Sequence, residues 1–309
     1  MKSDMVENEE LKQVSPIPIY LDEAAKKDAD LFEESQERSI LKKILVALQK
    51  VQKYSAYVFT SFVGIHVISV IGVPGIGISL DRSQEVFELG RAVYLSFPGF
   101  ESSVIIGSSI CHVAAGIGAR MVRFLLRRQR GINITSRGEN TPIIKSEARE
   151  DIGLGGITSL IGLGYRKSIV SKYMPGVTPL QFSGYVFIPS LIYHFCKFRY
   201  APLQLEGDSS LISLNYISFY LKKSPLNTLG NIVNYLALFG LSTVAAYHIT
   251  YGMLVFQRKS NSRNKKRAYS VIVTVMLLTY ISLSRFRKMA LAEGFMGKSF
   301  ARYATYIGI

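Results

Sequence analysis

Imidazole is the side chain in this sequence best suited to chemistry, and its placement is regular. The four histidines, His66, His112, His194 and His248, all fall inside long apolar stretches. A polar ring is costly in that setting, so histidines at related positions mark either a site or a set of interhelical hydrogen bonds. Two of them close matching segments: SAYVF, six residues, then His66, and SGYVF, six residues, then His194. Ser55, Tyr57 and Phe59 recur as Ser183, Tyr185 and Phe187 at a constant offset of 128. His112 and His248 share a different pattern, His-x-x-x-Gly, closed by Gly116 and Gly252.

A glycine one helical turn from a histidine removes the side chain that would obstruct a flat ligand. Arg120 and Arg123 continue the stripe of His112 and Gly116 and would meet carboxylates near a membrane boundary. Axial imidazoles, a smooth slot and cations for the propionates are what haem b requires. The candidate cofactor-binding set is therefore His112, His248, Gly116, Gly252, Arg120 and Arg123, with all four histidines as candidate iron ligands. Depth along the spans pairs His112 with His248, and His66 with His194. The other reading makes the same imidazoles hydrogen-bonding glue between helices, and the residues alone leave both open. Cys111 and Cys196 sit in apolar segments and supply neither a disulfide framework nor a metal-ligand spacing.

The elements that would position these residues are transmembrane helices. Crossing the hydrocarbon takes roughly 20 apolar residues. Spans are expected at about 54–73, 103–126, 180–196, 231–256 and 268–285. The third is short and contains Pro189, with Lys172 and Lys197 expected to snorkel at its ends. The predicted fold class is thus all-α integral membrane: a five-helix transmembrane bundle (54–309) with an internal two-helix repeat. Residues 38–53 read as a basic amphipathic helix leading into the first span, and 1–37 as a disordered acidic tail. The glycine-rich stretch 152–165 is too short to cross and reads as interfacial or re-entrant.

Charge supports this division. The formal net charge is +15, yet residues 1–37 hold eleven Asp/Glu against four Lys/Arg. The basic loops fall after spans two and four, which places the N-terminus in the cytosol. The first thirty residues form neither a secretory signal nor an Arg-rich presequence. Basic loops that flank spans and carry no binding motif do not indicate nucleic acid. No phosphate loop, triad or paired carboxylate stands in a catalytic context, so no enzyme is expected. Inside the acidic tail lies one apolar Pro-x-Pro patch, Leu11, Val14, Pro16, Ile17, Pro18 and Ile19. Proline favours extended backbone for itself and its predecessor, which lowers the ordering cost of docking on a sheet edge or groove.

Two resemblances follow from these residues. The His112-Val-Ala-Ala-Gly116-Ile117 run and the histidine repeat are distantly similar to the cytochrome b subunits of succinate dehydrogenase and fumarate reductase. More closely, the KKILVALQKVQKYSAYVF run, the histidine-bearing spans and the proline patch resemble a fungal mitochondrial outer-membrane family. That family is named for complementing loss of the Mdm-ten barrel protein. The second resemblance implies a multi-pass outer-membrane adaptor with a cytosolic N-terminus, acting at membrane contact sites in mitochondrial lipid homeostasis and lipid transport. It also implies recruitment of a bridge-type lipid-transfer protein of the Vps-thirteen class, through the apolar residues and prolines 11–19. Membrane lipids are the other expected partners. Polar faces around Ser55, Ser183 and the histidines offer a headgroup path, so lipid scrambling is a further expectation.

Overall fold

The structure is a computed structural model that describes residues 21–129, 153–154, 168–174 and 177–306. Among them every regular element is helical. The nine principal helices are α1 (Leu21–Val67), α2 (Leu80–Leu95), α3 (Ser108–Gln129), α4 (Ile169–Tyr173), α5 (Pro179–Phe195), α6 (Leu214–Lys222), α7 (Asn227–Phe256), α8 (Ser262–Phe286) and α9 (Gly294–Tyr306). The chain divides into two compact units, one of residues 1–50 with 115–132 and the other of 51–114 with 133–309.

Among the described residues, four helices are long and apolar enough to cross a membrane: Gln36–Gly75, Glu101–Arg128, Asn227–Phe256 and Ser262–Phe286. The remaining expected span, the third, corresponds to α5, 17 residues long, which runs on through Cys196–Tyr200 into a short helix, Ala201–Glu206. Pro179 in its first turn and a Thr178–Gln181 capping box fix where α5 starts. The Pro-x-Pro patch and most of the glycine-rich stretch lie outside the described residues. Residues 1–20 of the expected tail likewise lie outside them, and residues 38–53 do not form a separate amphipathic helix. Helix α1 begins at Leu21 and continues unbroken through residues 38–53 into the first span. No glycine or proline interrupts positions 19 to 63, and Ala, Leu, Glu and Lys dominate the polar half, so nothing stops the helix.

In the first unit, Ala115, Ala119, Val122 and Leu126 of α3 are buried at one-face spacing. Gly118 lies against Leu48 of α1, where a Cβ would stand 3.3 Å from the leucine Cδ1.

In the second unit α7 packs along α8 and against α5, and α6 and α9 pack together. Its main core is aromatic: Tyr216 and Phe219 of α6 meet Phe300 and Tyr303 of α9, with Leu283 and Phe286 of α8. Lys197 does not snorkel. It is fully buried, and its Nζ donates to Ala304 O at 2.8 Å. The reason is local, because Ala304 is in the last turn of α9, where carbonyls lack helical partners and a cation complements the dipole. At the start of the Glu101–Arg128 helix, Arg199 holds Glu101 and the Ser209 hydroxyl, while Arg91 reaches the carbonyls of Ser209, Ser210 and Ile212. These bonds tie the loop after Gly207 to α2 and to the segment preceding α3.

The repeat is visible in backbone geometry. A π-helical turn spans Ile68–Gly72 just past His66, and another spans Cys196–Tyr200 just past His194. Each leads into a buried proline, Pro74 or Pro202. Position 68 to 196, and 74 to 202, is again the offset of 128. A proline ring collides with the carbonyl four residues back, and widening that turn to π geometry relieves the collision. The same sequence device thus widens the helix at the same place in both halves.

Candidate functional site

All four histidines lie on helices of the second unit and meet as two pairs. His66 of α1 and His194 of α5 have ring centroids 6.0 Å apart, with planes at 69°. His112 of α3 and His248 of α7 have centroids 6.2 Å apart, with planes at 88°. His66 and His194 are repeat equivalents, and so are His112 and His248. Equivalent residues that touch one another lie on the relating axis, so both pairs mark an approximate two-fold through this bundle.

The second pair is anchored by hydrogen bonds. Nδ1 of His112 is 2.9 Å from the carbonyl oxygen of Gln52. That oxygen can only accept, so Nδ1 carries the proton. Nδ1 of His248 is 3.1 Å from Ser183 Oγ, and that hydroxyl itself donates to Leu180 O at 2.8 Å. Ser183 therefore accepts from His248, whose Nδ1 is again the protonated nitrogen. In the first half Ser55 Oγ likewise lies 3.1 Å from Gln52 O. Residues 52 and 180 are also 128 apart, so both halves build one small network of serine, carbonyl and imidazole. This tautomer leaves Nε2 of each ring with a lone pair.

The first pair is caged by rings instead. His66 stacks on Phe62 at 5.6 Å, and Phe62 meets Tyr94 edge-on. His194 stacks on Phe198 at 4.8 Å, and Phe198 meets Tyr216 and Tyr220. Nδ1 of His194 is buried with no hydrogen-bond partner among the described residues.

Beside Gly252 an added Cβ would meet only Leu180 Cδ1, at 3.9 Å, an ordinary van der Waals distance. The glycine that admits a histidine is Gly184 of α5, where a Cβ would stand 3.0 Å from His248 Cε1. Gly116, Arg120 and Arg123 belong to the first unit, while the histidine pairs belong to the second. As a test of haem, the donor chemistry fits: paired imidazoles with Nδ1–H anchored and Nε2 available resemble axial ligands with their outer hydrogen bonds in place. Sequence reasoning missed Ser183 and Gly184 as partners of His248, although both sit in the SGYVF segment that revealed the repeat.

Comparison with known proteins agrees with the duplication. The profile described as "MDM10-complementing protein 1, transmembrane domain" matches residues 61–170 and 189–299. The two stretches start 128 residues apart, and the second includes α8 as well as α5 and α7. The mitochondrial adapter protein MCP1 of Saccharomyces cerevisiae is 23% identical over 241 residues, covering 77% of this chain and 73% of that protein. No solved structure matches, and the similarity to cytochrome b subunits finds no support in these comparisons. With a family profile matched over well over half its length, an all-helical membrane architecture and a duplicated histidine-bearing unit, the chain belongs to the MDM10-complementing protein 1 family.

Proposed function

We propose that this protein is a mitochondrial membrane adaptor. Its N-terminal segment recruits a bridge-type lipid-transfer protein of the Vps-thirteen class to the outer membrane, and its bundle holds that segment at the cytosolic surface. The observation that carries this reading is the match to a mitochondrial adapter protein across most of both chains. The sequence supplies a docking element: Leu11, Val14, Pro16, Ile17, Pro18 and Ile19 stand immediately ahead of the start of α1. Two prolines restrict the unbound backbone, so the apolar side chains are captured at reduced entropic cost. Nothing in this mechanism requires bond chemistry. The test is binding of the full chain, reconstituted in nanodiscs, to the lipid-transfer protein. Wild type binds, and the double variant Pro16→Ala/Pro18→Ala does not. Equal binding by both would remove the proline segment as the recruitment signal.

A second reading is favoured by the anchored pair. In it His112 and His248 hold a haem iron through Nε2, and the group supplies one-electron chemistry. The residues of this chain then orient the imidazoles through Gln52 and Ser183. Protein expressed with haem supplied would show a Soret band that the His112→Ala/His248→Ala variant lacks. A wild-type sample without the band removes this reading and leaves the adaptor intact.

A further inference from the structure

An open groove of about 460 Å³ lies at the turn between α7 and α8. Its wall is mostly apolar: Thr60 of α1, Ile249, Met253 and Leu254 of α7, and Ala268 and Val271 of α8. Its rim is polar and cationic, formed by Gln257, Lys259, Asn264 and Arg267. The volume falls in the range of small-ligand sites, about 300–1,000 Å³. Lys259 and Arg267 are exposed, and neither makes an ion pair among the described residues. The surrounding segment QRKSNSRNKKR holds six Lys/Arg and no acid.

The rim is built rather than merely charged. Helix α7 ends in a Schellman arrangement, in which Lys259 N donates to Leu254 O at 2.9 Å and Arg258 N donates to Val255 O at 3.0 Å. Arg258 takes the left-handed conformation, φ +56°, usually left to glycine. Asn261 then caps α8 by accepting from Asn264 N, and Asn264 Nδ2 returns a bond to Lys259 O at 3.0 Å. The turn is thus held from both sides, with Lys259 on its α7 side and Arg267 one helical turn into α8. The groove sits at the turn that joins two helices long and apolar enough to span, so an apolar wall stands beside a cationic rim at the end of both.

We infer that this groove binds an anionic glycerophospholipid, with the headgroup phosphate at the Lys259/Arg267 rim and an acyl chain along Met253, Leu254 and Val271. Charge complementarity selects the headgroup, because basic pockets between spanning helices attract acidic lipids. The apolar wall selects a lipid over a free phosphate or an acidic peptide. The site is independent of the adaptor reading, since it involves neither the proline segment nor the histidine pairs.

The experiment is native mass spectrometry of the full chain released from vesicles of phosphatidylcholine mixed with phosphatidic acid. Wild type retains phosphatidic acid in preference to phosphatidylcholine. Lys259→Ala/Arg267→Ala lowers that retention by roughly 30-fold, following the contribution of each basic residue near a headgroup. Arg263→Ala/Lys266→Ala removes the same charge away from the groove and leaves most of the retention. Val271→Trp, which keeps every charge, lowers retention by filling the wall. Equal losses in the two double variants would show a diffuse basic surface and overturn the site. Retention unaffected by Val271→Trp but abolished by soluble polyglutamate would assign the rim to an acidic peptide and overturn it as well.

Discussion

The two histidine pairs share a residue type, a repeat relation and nearly the same ring separation, but they are held by different physics. His112 and His248 are fixed by hydrogen bonds, to Gln52 O and to Ser183 Oγ. His66 and His194 are fixed by ring packing, and His194 leaves a buried nitrogen without a partner among the described residues. The contrast teaches that position in a repeat does not assign a role. A polar ring whose proton is paid out to the backbone ties helices together. One packed among aromatics with an unmatched nitrogen stabilises through area alone and carries a polar cost.

Mutations break this contrast with different sizes and signs. The largest effect is expected at Gly184. Valine there drives its side chain into His248 Cε1 and separates α5 from α7, lowering stability by about 1–3 kcal/mol. Ala56, the repeat equivalent, already carries a Cβ, so the first half tolerates what the second does not. Thermal unfolding in detergent reads the difference. His112→Phe keeps the ring but removes its hydrogen bond to Gln52 O, and costs about 1 kcal/mol by the same assay. Smallest is His194→Phe, which removes the unmatched nitrogen while keeping the packing; its unfolding temperature stays level or rises slightly. A destabilising His194→Phe together with a neutral His112→Phe would reverse the assignment of the two pairs.

Much of this was legible in the sequence because the repeat preserves identities. The offset shared by Ser55 and Ser183 reveals equivalent helices, and equal depth then pairs the histidines. The π-turns were legible too, through Pro74 and Pro202 at that same offset, but that signal passed unread. Other features have no signature in residue type. A carbonyl such as Gln52 O looks the same at every position, so an imidazole's partner cannot be read from spacing. Whether Gly184 or Gly252 faces His248 depends on how two helices are rotated about their axes. The burial of Lys197 depends on α9, a short helix whose buried residues Phe300 and Tyr303 emerge only through packing on α6. The continuity of α1 from Leu21 was readable from the absence of breakers, yet its acidic composition suggested disorder.

The central claim is a division of labour: recruitment resides in the N-terminal segment, and the histidine bundle is a separable membrane part. The most direct measurement is recruitment of the lipid-transfer protein in cells by residues 1–53 fused to an unrelated outer-membrane anchor, beside the full chain. The account predicts that the fusion draws the partner to mitochondria as well as the full chain does, and that Pro16→Ala/Pro18→Ala abolishes recruitment in both. A fusion that recruits nothing while the full chain succeeds would contradict it and move the docking surface into the bundle.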